Sequence, residues 1–277
     1  MNKSFTTIIG VYINDRLDWF QKAIDSILNQ SIPPKQIVLV KDGPISIEIN
    51  DYIKNVLLVY EHIEFTIHSL NSSVGRGNWL NTALKLSNYE LVSHMDSDDI
   101  SRLNRFEKQL EYLNNNPDID VLGGIIEEFN INPGDTNKIR KVYSKHDDIF
   151  KSSKNFCPMN NVTVMYKKDP VLRVGGFSGG EGVQEDYILW VKMLSNGYKF
   201  SNIKDVIVDV RVGNNFQSRR KGFRYINYEI KMQKIFYDYK HISMFKMIIN
   251  ITLRSIIRLM PARIIKLVYY MLRTNKK

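Results

Sequence analysis

The chain has 277 residues, of which 43% are hydrophobic and 25% are charged, and its formal net charge is +10 at pH 7. This length and composition suit one globular α/β domain with an extension, or two small domains. A single cysteine, Cys157, excludes an internal disulfide, and the absence of any CxxC pair excludes the common zinc and thioredoxin-like patterns. No run reaches the roughly 20 apolar residues of a membrane-spanning helix, and no secretory signal is evident.

The first 113 residues alternate the patterns of strands and helices. Buried strands are predicted at residues 6–11, 36–40, 64–68 and 89–95, and helices at residues 19–28, 47–60, 75–86 and 102–113. This alternation predicts an α/β fold with a Rossmann-like, mostly parallel central sheet covered by helices on both faces. Ligands of such sheets bind beyond the carboxyl ends of the strands, where Asp42 and Asp96–Asp99 are predicted to lie. We therefore expect a nucleotide-binding crevice there.

The rest of the chain has a less regular pattern. It predicts strands near 121–126, 161–166 and 205–210, a loop-rich segment at 130–148, a glycine-rich turn at 175–180 and an amphipathic helix at 185–194. From about residue 222 onward the pattern is helical. We therefore expect a main domain at residues 1–215 and a basic, amphipathic, helical C-terminal extension at residues 216–277.

The strongest chemical signal is Asp96-Ser97-Asp98-Asp99, directly after a predicted strand. Three carboxylates within four residues repel one another unless a cation lies among them. Oxygen ligands with room for phosphates suit Mg²⁺ or Mn²⁺. The alternative is a solvated turn in which an aspartate caps the following helix.

Two further segments allow both a functional and a structural interpretation. Glu185-Asp186 begins a predicted helix, either as acids favoured by the helix dipole or as a general base aimed at an acceptor hydroxyl. Residues 74–78 contain G-x-G but have Leu80 where the dinucleotide fingerprint requires a third glycine. Their backbone N–H groups could still bind phosphate, or the segment is an ordinary loop-to-helix junction. Trp190 either stacks on a sugar or packs in the core.

Six motifs, taken in order, resemble glycosyltransferase family 2, whose members have the GT-A fold. The motifs are Ile8–Tyr12, Ser26–Gln30, Leu39–Gly43, Asn71–Asn81, the D-x-D-D site Asp96–Asp99, and the E-D-x-x-L-W segment Glu185–Trp190. The match covers roughly residues 5–215. Within the family, Arg211–Gly213, Ser218–Arg220 and Arg258–Pro261 resemble bacterial enzymes that build surface polysaccharides such as O-antigen and exopolysaccharide.

The chain also departs from the family pattern. Ile13 is inserted after the tyrosine of the first motif, and Lys41 replaces the acid before Asp42. Both positions bear on contacts with the nucleobase and the diphosphate. Some relatives carry a late histidine that completes the metal site, but no histidine lies between His146 and His241.

On the donor side, the resemblance implies that Asp98, with Asp96 beside it, holds a Mn²⁺ or Mg²⁺ ion. Asp96 is also expected to reach the ribose, and Asp42 to accept a hydrogen bond from the nucleobase. The remaining donor-binding positions are the backbone at Val11 and Tyr12 beside the base, and Arg76, Arg219 and Arg220 on the diphosphate.

On the acceptor side, the resemblance implies that Asp186 is the general base and that Glu185 and Trp190 contact the acceptor. The acceptor hydroxyl would displace the nucleotide in one in-line step, so that an α-linked donor gives a β-linked product. The expected donor is a nucleotide sugar, UDP-linked by family frequency, that carries a hexose or N-acetylhexosamine. The expected acceptor is an undecaprenyl-diphosphate-type, lipid-linked saccharide of O-antigen, capsule or exopolysaccharide biosynthesis.

The expected location is cytoplasmic and peripheral, on the inner face of the cell membrane. The segment Arg254–Lys277 holds seven cations and no acid. From Pro261 onward, its apolar residues and its cations fall on different faces of a predicted helix, which suits an anionic membrane surface. The alternative is a helix that packs on the main domain and leaves its basic face solvated.

Two other functions share some of these features. A sugar nucleotidyltransferase would carry a glycine-rich loop directly after its first strand, where this chain has Val11–Asp15 without a glycine. A non-catalytic protein that binds nucleic acid or membranes would use the net charge of +10, but it would leave Asp96, Asp98 and Asp186 without a purpose. We therefore expect no nucleic-acid partner.

Overall fold

The computed structural model describes residues 4–179, 184–212 and 223–259. The chain forms two compact units, the first made of Met1–Glu181 with Glu185–Val212 and the second of Gly182–Gln184 with Gly213–Lys277. The predicted boundary after residue 215 lies outside the described residues and stays a prediction.

The first unit begins with four parallel strands and the helices that connect them. The strands are β1 (Phe5–Val11), β2 (Gln36–Lys41), β3 (Glu64–Ser69) and β4 (Leu91–Met95). The helices are α1 (Leu17–Leu28), α2 (Ile47–Val59) and α3 (Arg76–Leu86). The strands lie in the order β3-β2-β1-β4, and every neighbouring pair is parallel. The predicted α/β alternation is therefore confirmed in this part of the chain.

The sheet continues beyond β4 with mixed strand directions. The added strands are β5 (Ile100–Ser101), β6 (Val121–Phe129), β7 (Lys138–Arg140), β8 (Met165–Lys167) and β9 (Phe200–Arg211). They extend the order as β4-β8-β6-β9-β5, with β7 paired to β6. Only β6 and β9 pair in parallel among them. The helices of this half are α4 (Arg105–Asn115), α5 (His146–Ser153), α6 (Lys168–Arg173) and α7 (Glu185–Ser195).

Helices cover both faces of the sheet, as predicted. Successive residues of a strand point to opposite faces, and the neighbours Ile8 and Ile9 belong to different core clusters. Ile9 shares its cluster with buried residues of α1, α2 and α4, whereas Ile8 shares the other with residues of α3 and α7. The strands at the centre of the sheet are therefore buried on both sides, which explains their continuous apolar sequences.

Close packing holds the start of α3 between β1 and the glycine-rich turn. Gly10 lies under Trp79, and a Cβ at Gly10 would come within 2.5 Å of the indole ring. A Cβ at Gly77 would overlap the carbonyl oxygen of Ser178. Asn81 fastens the same turn, because its Nδ2 donates to the Phe177 carbonyl at 2.8 Å and its Oδ1 accepts from the Phe177 N–H at 2.9 Å. Gly77 therefore allows a close approach of two backbones.

The second unit contains α8 (Phe223–Asp238) and α9 (Met244–Leu259). This agrees with the helical pattern predicted from about residue 222. No helix in the described part of the chain is long and apolar enough to cross a membrane. The amphipathic segment predicted from Pro261 lies outside the described residues.

Gly77→Ala tests the contact between α3 and the glycine-rich turn. We expect the substitution to lower the free energy of unfolding by about 1–3 kcal/mol, because the added methyl group has no space beside Ser178. The control is Lys85→Ala on the exposed side of α3, which should change stability by less than about 0.5 kcal/mol. Urea unfolding of both variants provides the measurement. A Gly77→Ala variant as stable as the wild type would contradict the proposed contact.

Candidate active site at the carboxyl ends of β1 and β4

The carboxyl ends of β1 and β4 lie side by side, because the two strands pair in parallel. β4 continues directly into residues 96–99, which we call the aspartate loop. β1 continues into a turn in which the Tyr12 N–H donates to Asp15 Oδ2 at 3.0 Å. Burial raises the pKa of Asp15, and Ser97 and Asp96 of the aspartate loop are close enough to affect it. Carboxylates from two neighbouring strand ends therefore meet at one place.

The crowded carboxylates perturb one another. Burial, reinforced by the charges of Asp96 and Asp15, raises the pKa of Asp98 to about 6. Burial also raises the pKa of Asp99 well above its usual range, and the charge of Asp98 adds to this effect. Ionising Asp96, Asp98 and Asp99 together is therefore unfavourable for the protein alone, and a bound cation would favour their ionised forms.

The aspartate loop has suitable ligand atoms for a divalent cation, but not a complete set of ligands. They offer carboxylate oxygens, which are the ligands that Mg²⁺ and Mn²⁺ prefer. Within the described ranges, no group of three His, Cys, Asp or Glu side chains is arranged to hold a metal ion. Asp96 and Asp98 would therefore form an incomplete ligand set, as in sites where one or two carboxylates share the ion with substrate phosphates.

Asp96 is held in its ionised form by two neighbours. Its Oδ1 accepts a hydrogen bond from Arg76 Nη2 at 2.7 Å and lies 3.0 Å from His94 Nε2. Burial opposes ionisation, but Arg76 and His94 hold the pKa of Asp96 well below its usual range. Burial lowers the pKa of His94, and its Nδ1 has no hydrogen-bond partner. A neutral His94 ring that donates from Nε2 satisfies Asp96 but leaves Nδ1 as an acceptor without a partner.

Arg76, the first residue of α3, connects the aspartate loop to α7. Besides its bond to Asp96, its Nε lies 3.2 Å from Glu185 Oε1 in the first turn of α7. The Arg76 side chain keeps 40% of its surface exposed, whereas that of Glu185 is 17% exposed. Two sites that are about 90 residues apart in sequence, the D-x-D-D and E-D motifs, are thus linked by one guanidinium group.

The acids of α7 lie at the edge of the core. Tyr187, the next residue, is fully buried, and its hydroxyl donates to the Ser153 carbonyl at 2.6 Å. Asp186 is partly buried, and its Oδ1 accepts from the Tyr187 N–H at 2.8 Å. Cys157 Sγ lies 4.0 Å from the other oxygen, Oδ2. The buried part of α7 therefore fixes the position of Glu185 and Asp186.

Asp42 has structural contacts at the end of β2. Its Oδ2 accepts from Ser73 Oγ at 2.8 Å, and its Oδ1 accepts from the Val74 N–H at 2.7 Å. Asp42 thus holds the loop that leads into α3, and its predicted contact with a nucleobase stays a prediction. Near it, Val11 is buried and its carbonyl accepts from the Asp42 N–H at 2.8 Å, whereas Tyr12 is 44% exposed.

Arg211 stabilises the aspartate loop, a role that the sequence analysis missed. Its guanidinium lies 4.5 Å from the ring centroids of both Trp19 and Phe129. Its backbone N–H donates to Asp99 Oδ1 at 2.8 Å, and its Nε donates to the Asp98 carbonyl at 3.2 Å. The motif Arg211–Gly213 was recognised in the sequence, but it suggested no contact with these distant residues.

Arg105 is a second residue that the sequence analysis missed. It is fully buried behind the aspartate loop, and burial lowers its pKa to about 9. Its Nη2 donates to the His94 carbonyl at 2.8 Å and its Nη1 donates to Ser101 Oγ at 2.9 Å. Arg105 therefore fastens the residues on either side of the aspartate loop. In the sequence, the role of Arg105 could be suspected only from a charged residue on the apolar side of an amphipathic helix.

One predicted acceptor contact is wrong. Trp190 is fully buried and packs against Tyr166, Phe177 and Phe200, with ring centroids 5.8–6.5 Å apart. It is therefore a core residue and has no surface to offer a sugar. Arg219 and Arg220, which were predicted to hold the diphosphate, lie outside the described residues.

The chain belongs to glycosyl transferase family 2, whose model matches residues 6–173. The protein is accordingly a glycosyltransferase, and the sugar nucleotidyltransferase and the non-catalytic binding protein are no longer needed as alternatives. The recognition of this family from six motifs is confirmed.

Relatives and solved structures agree with the family. The chain is 38% identical to UDP-Gal:alpha-D-GlcNAc-diphosphoundecaprenol beta-1,3-galactosyltransferase of Escherichia coli, over 93% of this chain and 92% of that protein. It is 27% identical to the amylovoran biosynthesis glycosyltransferase AmsE of Erwinia amylovora, over 96% and 97% of the two chains. The mannosyltransferase PcManGT of Pyrobaculum calidifontis, solved with GDP-Man and Mn²⁺, has a TM-score of 0.64 at 15% identity, over 92% of this chain and 70% of that one. The predicted GT-A fold is thereby confirmed.

A double-mutant cycle on Arg76 and Glu185 tests the link between α3 and α7. We expect Arg76→Ala and Glu185→Ala to be non-additive in urea unfolding, with a coupling energy of about 1 kcal/mol, because the pair is partly buried. The exposed pair Arg16–Asp18 is the matched control, with an expected coupling of about 0–0.5 kcal/mol. A coupling no larger than that of the control would contradict the assignment.

Proposed function

We propose that this glycosyltransferase inverts configuration and transfers a hexose or N-acetylhexosamine from a UDP-sugar to a hydroxyl of an undecaprenyl-diphosphate-linked saccharide. Galactose is the first sugar to test, because the Escherichia coli relative is named for UDP-Gal and for a GlcNAc-diphosphoundecaprenol acceptor. The product would enter a surface polysaccharide such as O-antigen, capsule or exopolysaccharide, in keeping with the name of the amylovoran relative.

The observation that carries this proposal is the Asp96–Arg76–Glu185 bridge. It connects a carboxylate site that favours a cation with a helix start that carries a second acid, Asp186. Transfer from a nucleotide sugar requires these two functions at neighbouring positions, because charge accumulates on the leaving diphosphate while a proton leaves the acceptor.

On the donor side, Asp98 and Asp96 would hold the divalent ion, Mn²⁺ or Mg²⁺. When bound, such an ion supplies positive charge that stabilises the departing diphosphate. The exposed Tyr12 and the backbone of Val11 would flank the nucleobase, and Asp42 would accept a hydrogen bond from it. Arg76 would keep Asp96 ionised; its remaining N–H groups, together with Arg219 and Arg220, would face the diphosphate.

On the acceptor side, Asp186 would be the general base. Its carboxylate would accept the proton of the acceptor hydroxyl as that oxygen attacks the anomeric carbon from the face opposite the diphosphate. The bond between the anomeric carbon and the diphosphate oxygen would break in the same step, and the nucleoside diphosphate would leave. Glu185 would position the start of α7 through its contact with Arg76. It would also contact the acceptor.

A cytoplasmic, peripheral location on the inner face of the cell membrane follows from this proposal, because a lipid-linked acceptor is anchored there. The acid-free sequence from Arg254 to Lys277 supports the same location, since its seven cations suit anionic lipid headgroups.

The stereochemistry of the product tests the transfer reaction. We expect incubation with UDP-galactose, Mn²⁺ and a synthetic GlcNAc-diphosphate lipid to give a β-linked galactoside, because a single displacement inverts the α-linked donor. The anomeric coupling constant in proton NMR provides the measurement. An α-linked product would contradict the single displacement. Transfer from a different nucleotide sugar alone would reject galactose and keep the mechanism.

Asp186→Asn tests the general base. We expect kcat to fall by at least about 10²-fold with little change in donor affinity, because an amide cannot accept the proton. Asp147→Asn, also an acid in the first turn of a helix, is the control and should retain normal kcat. Near-normal kcat in a folded Asp186→Asn enzyme would reject this assignment.

A further inference from the structure

The hairpin of α8 and α9 has polar groups on its inside. Glu229 and Gln233 of α8 and Asn250 of α9 are at most 5% exposed. Glu229 Oε1 accepts from Arg254 Nη1 at 2.6 Å and from Gln233 Nε2 at 3.1 Å, while Asn250 Nδ2 donates to Gln233 Oε1 at 3.0 Å. This network joins the two helices by hydrogen bonds at positions where a soluble helix pair would place apolar side chains.

Many large apolar residues of α9 are exposed instead. Six large apolar side chains of this helix are between 48% and 74% exposed: Met244, Phe245, Ile248, Leu253, Ile256 and Leu259. Phe245, Ile248, Ile256 and Leu259 repeat at helical spacing, so that they share one side of the helix. We call these four residues the α9 apolar face. An exposed apolar surface of this extent indicates contact with a partner.

The charge in this part of the sequence limits the choice of partner. The sequence from Lys240 to Lys277 contains nine Lys and Arg residues and no Asp or Glu. A second copy of the chain would bring the same cations together and be repelled, whereas an anionic lipid surface would neutralise them. α9 has 16 residues, which corresponds to about 24 Å. It also carries Lys246, a feature of a helix that lies on a bilayer rather than within it.

We propose that the α9 apolar face inserts into the surface of an anionic lipid bilayer. This rests on the membrane part of the proposed function and places the contact on α9, upstream of the amphipathic segment predicted from Pro261. The buried Glu229–Arg254 network holds α9 with its apolar side outward. Membrane docking on this face does not require a bound donor or acceptor.

Vesicle co-sedimentation of the full chain tests this contact without any substrate. The probes are vesicles of phosphatidylcholine with phosphatidylglycerol and vesicles of phosphatidylcholine alone. We expect Phe245→Gln/Ile256→Gln to bind the anionic vesicles at least about tenfold more weakly than the wild type, because two large apolar side chains no longer insert. Leu58→Gln/Val59→Gln is the matched control, since it removes two exposed apolar side chains from α2, and it should bind like the wild type.

Two accompanying measurements separate this proposal from its alternatives. Thermal unfolding should be nearly unchanged in both double variants, and UDP binding should equal that of the wild type, so a loss of vesicle binding reports docking rather than folding or catalysis. Wild-type-like binding of Phe245→Gln/Ile256→Gln to anionic vesicles would overturn the proposal. So would equal binding of the wild type to both kinds of vesicle, or a dimer in sedimentation that only the α9 variant disrupts. A large loss of thermal stability with unchanged vesicle binding would also overturn it, because the face would then be covered by the chain itself.

Discussion

The crowding of carboxylates at the ends of β1 and β4 is the constraint on which the rest of the site depends. Parallel pairing of these strands brings Asp15 beside the aspartate loop, where burial alone would favour the neutral acids. Neighbouring residues offset this effect of burial for one aspartate of the loop but not for the other two. Arg76 and His94 lower the pKa of Asp96 and keep it ionised, whereas the pKa values of Asp98 and Asp99 stay raised. The cluster of partly ionised carboxylates lies at the adjoining carboxyl ends of β1 and β4.

The basic residues around the loop have separate tasks. Arg211, held between two aromatic rings, and the buried Arg105 bind backbone oxygens and so fix the path of the loop. Arg76 instead binds side-chain carboxylates on both sides, Asp96 and Glu185. Its backbone is placed by the packing of α3, where Gly77 admits the turn at Ser178. The first turn of α3 therefore contains both Gly77, which close packing requires, and Arg76, which binds the carboxylates of the site.

Much of the fold could be predicted because β1, β2 and β4 are buried on both faces and have continuous apolar sequences. The short strands β5 and β7 were not predicted, since two or three residues show no periodicity. The aspartate loop and the E-D motif were recognisable as local patterns. Their connection through Arg76 was not, because it is a contact between residues distant in sequence. Trp190 was ambiguous for the same reason: only the packing of Tyr166 and Phe200 around it shows that it belongs to the core.

The central claim is that the aspartate loop binds the donor through a divalent ion. Calorimetric titration of UDP into the wild type and into Asp98→Asn, each with Mn²⁺ and with a chelator, tests it most directly. We expect the wild type to bind UDP at least about tenfold more tightly with Mn²⁺, and Asp98→Asn to lose this difference, because one of two carboxylate ligands is removed. Equal UDP affinity of the wild type with and without the ion, or full Mn²⁺ dependence in Asp98→Asn, would contradict the account.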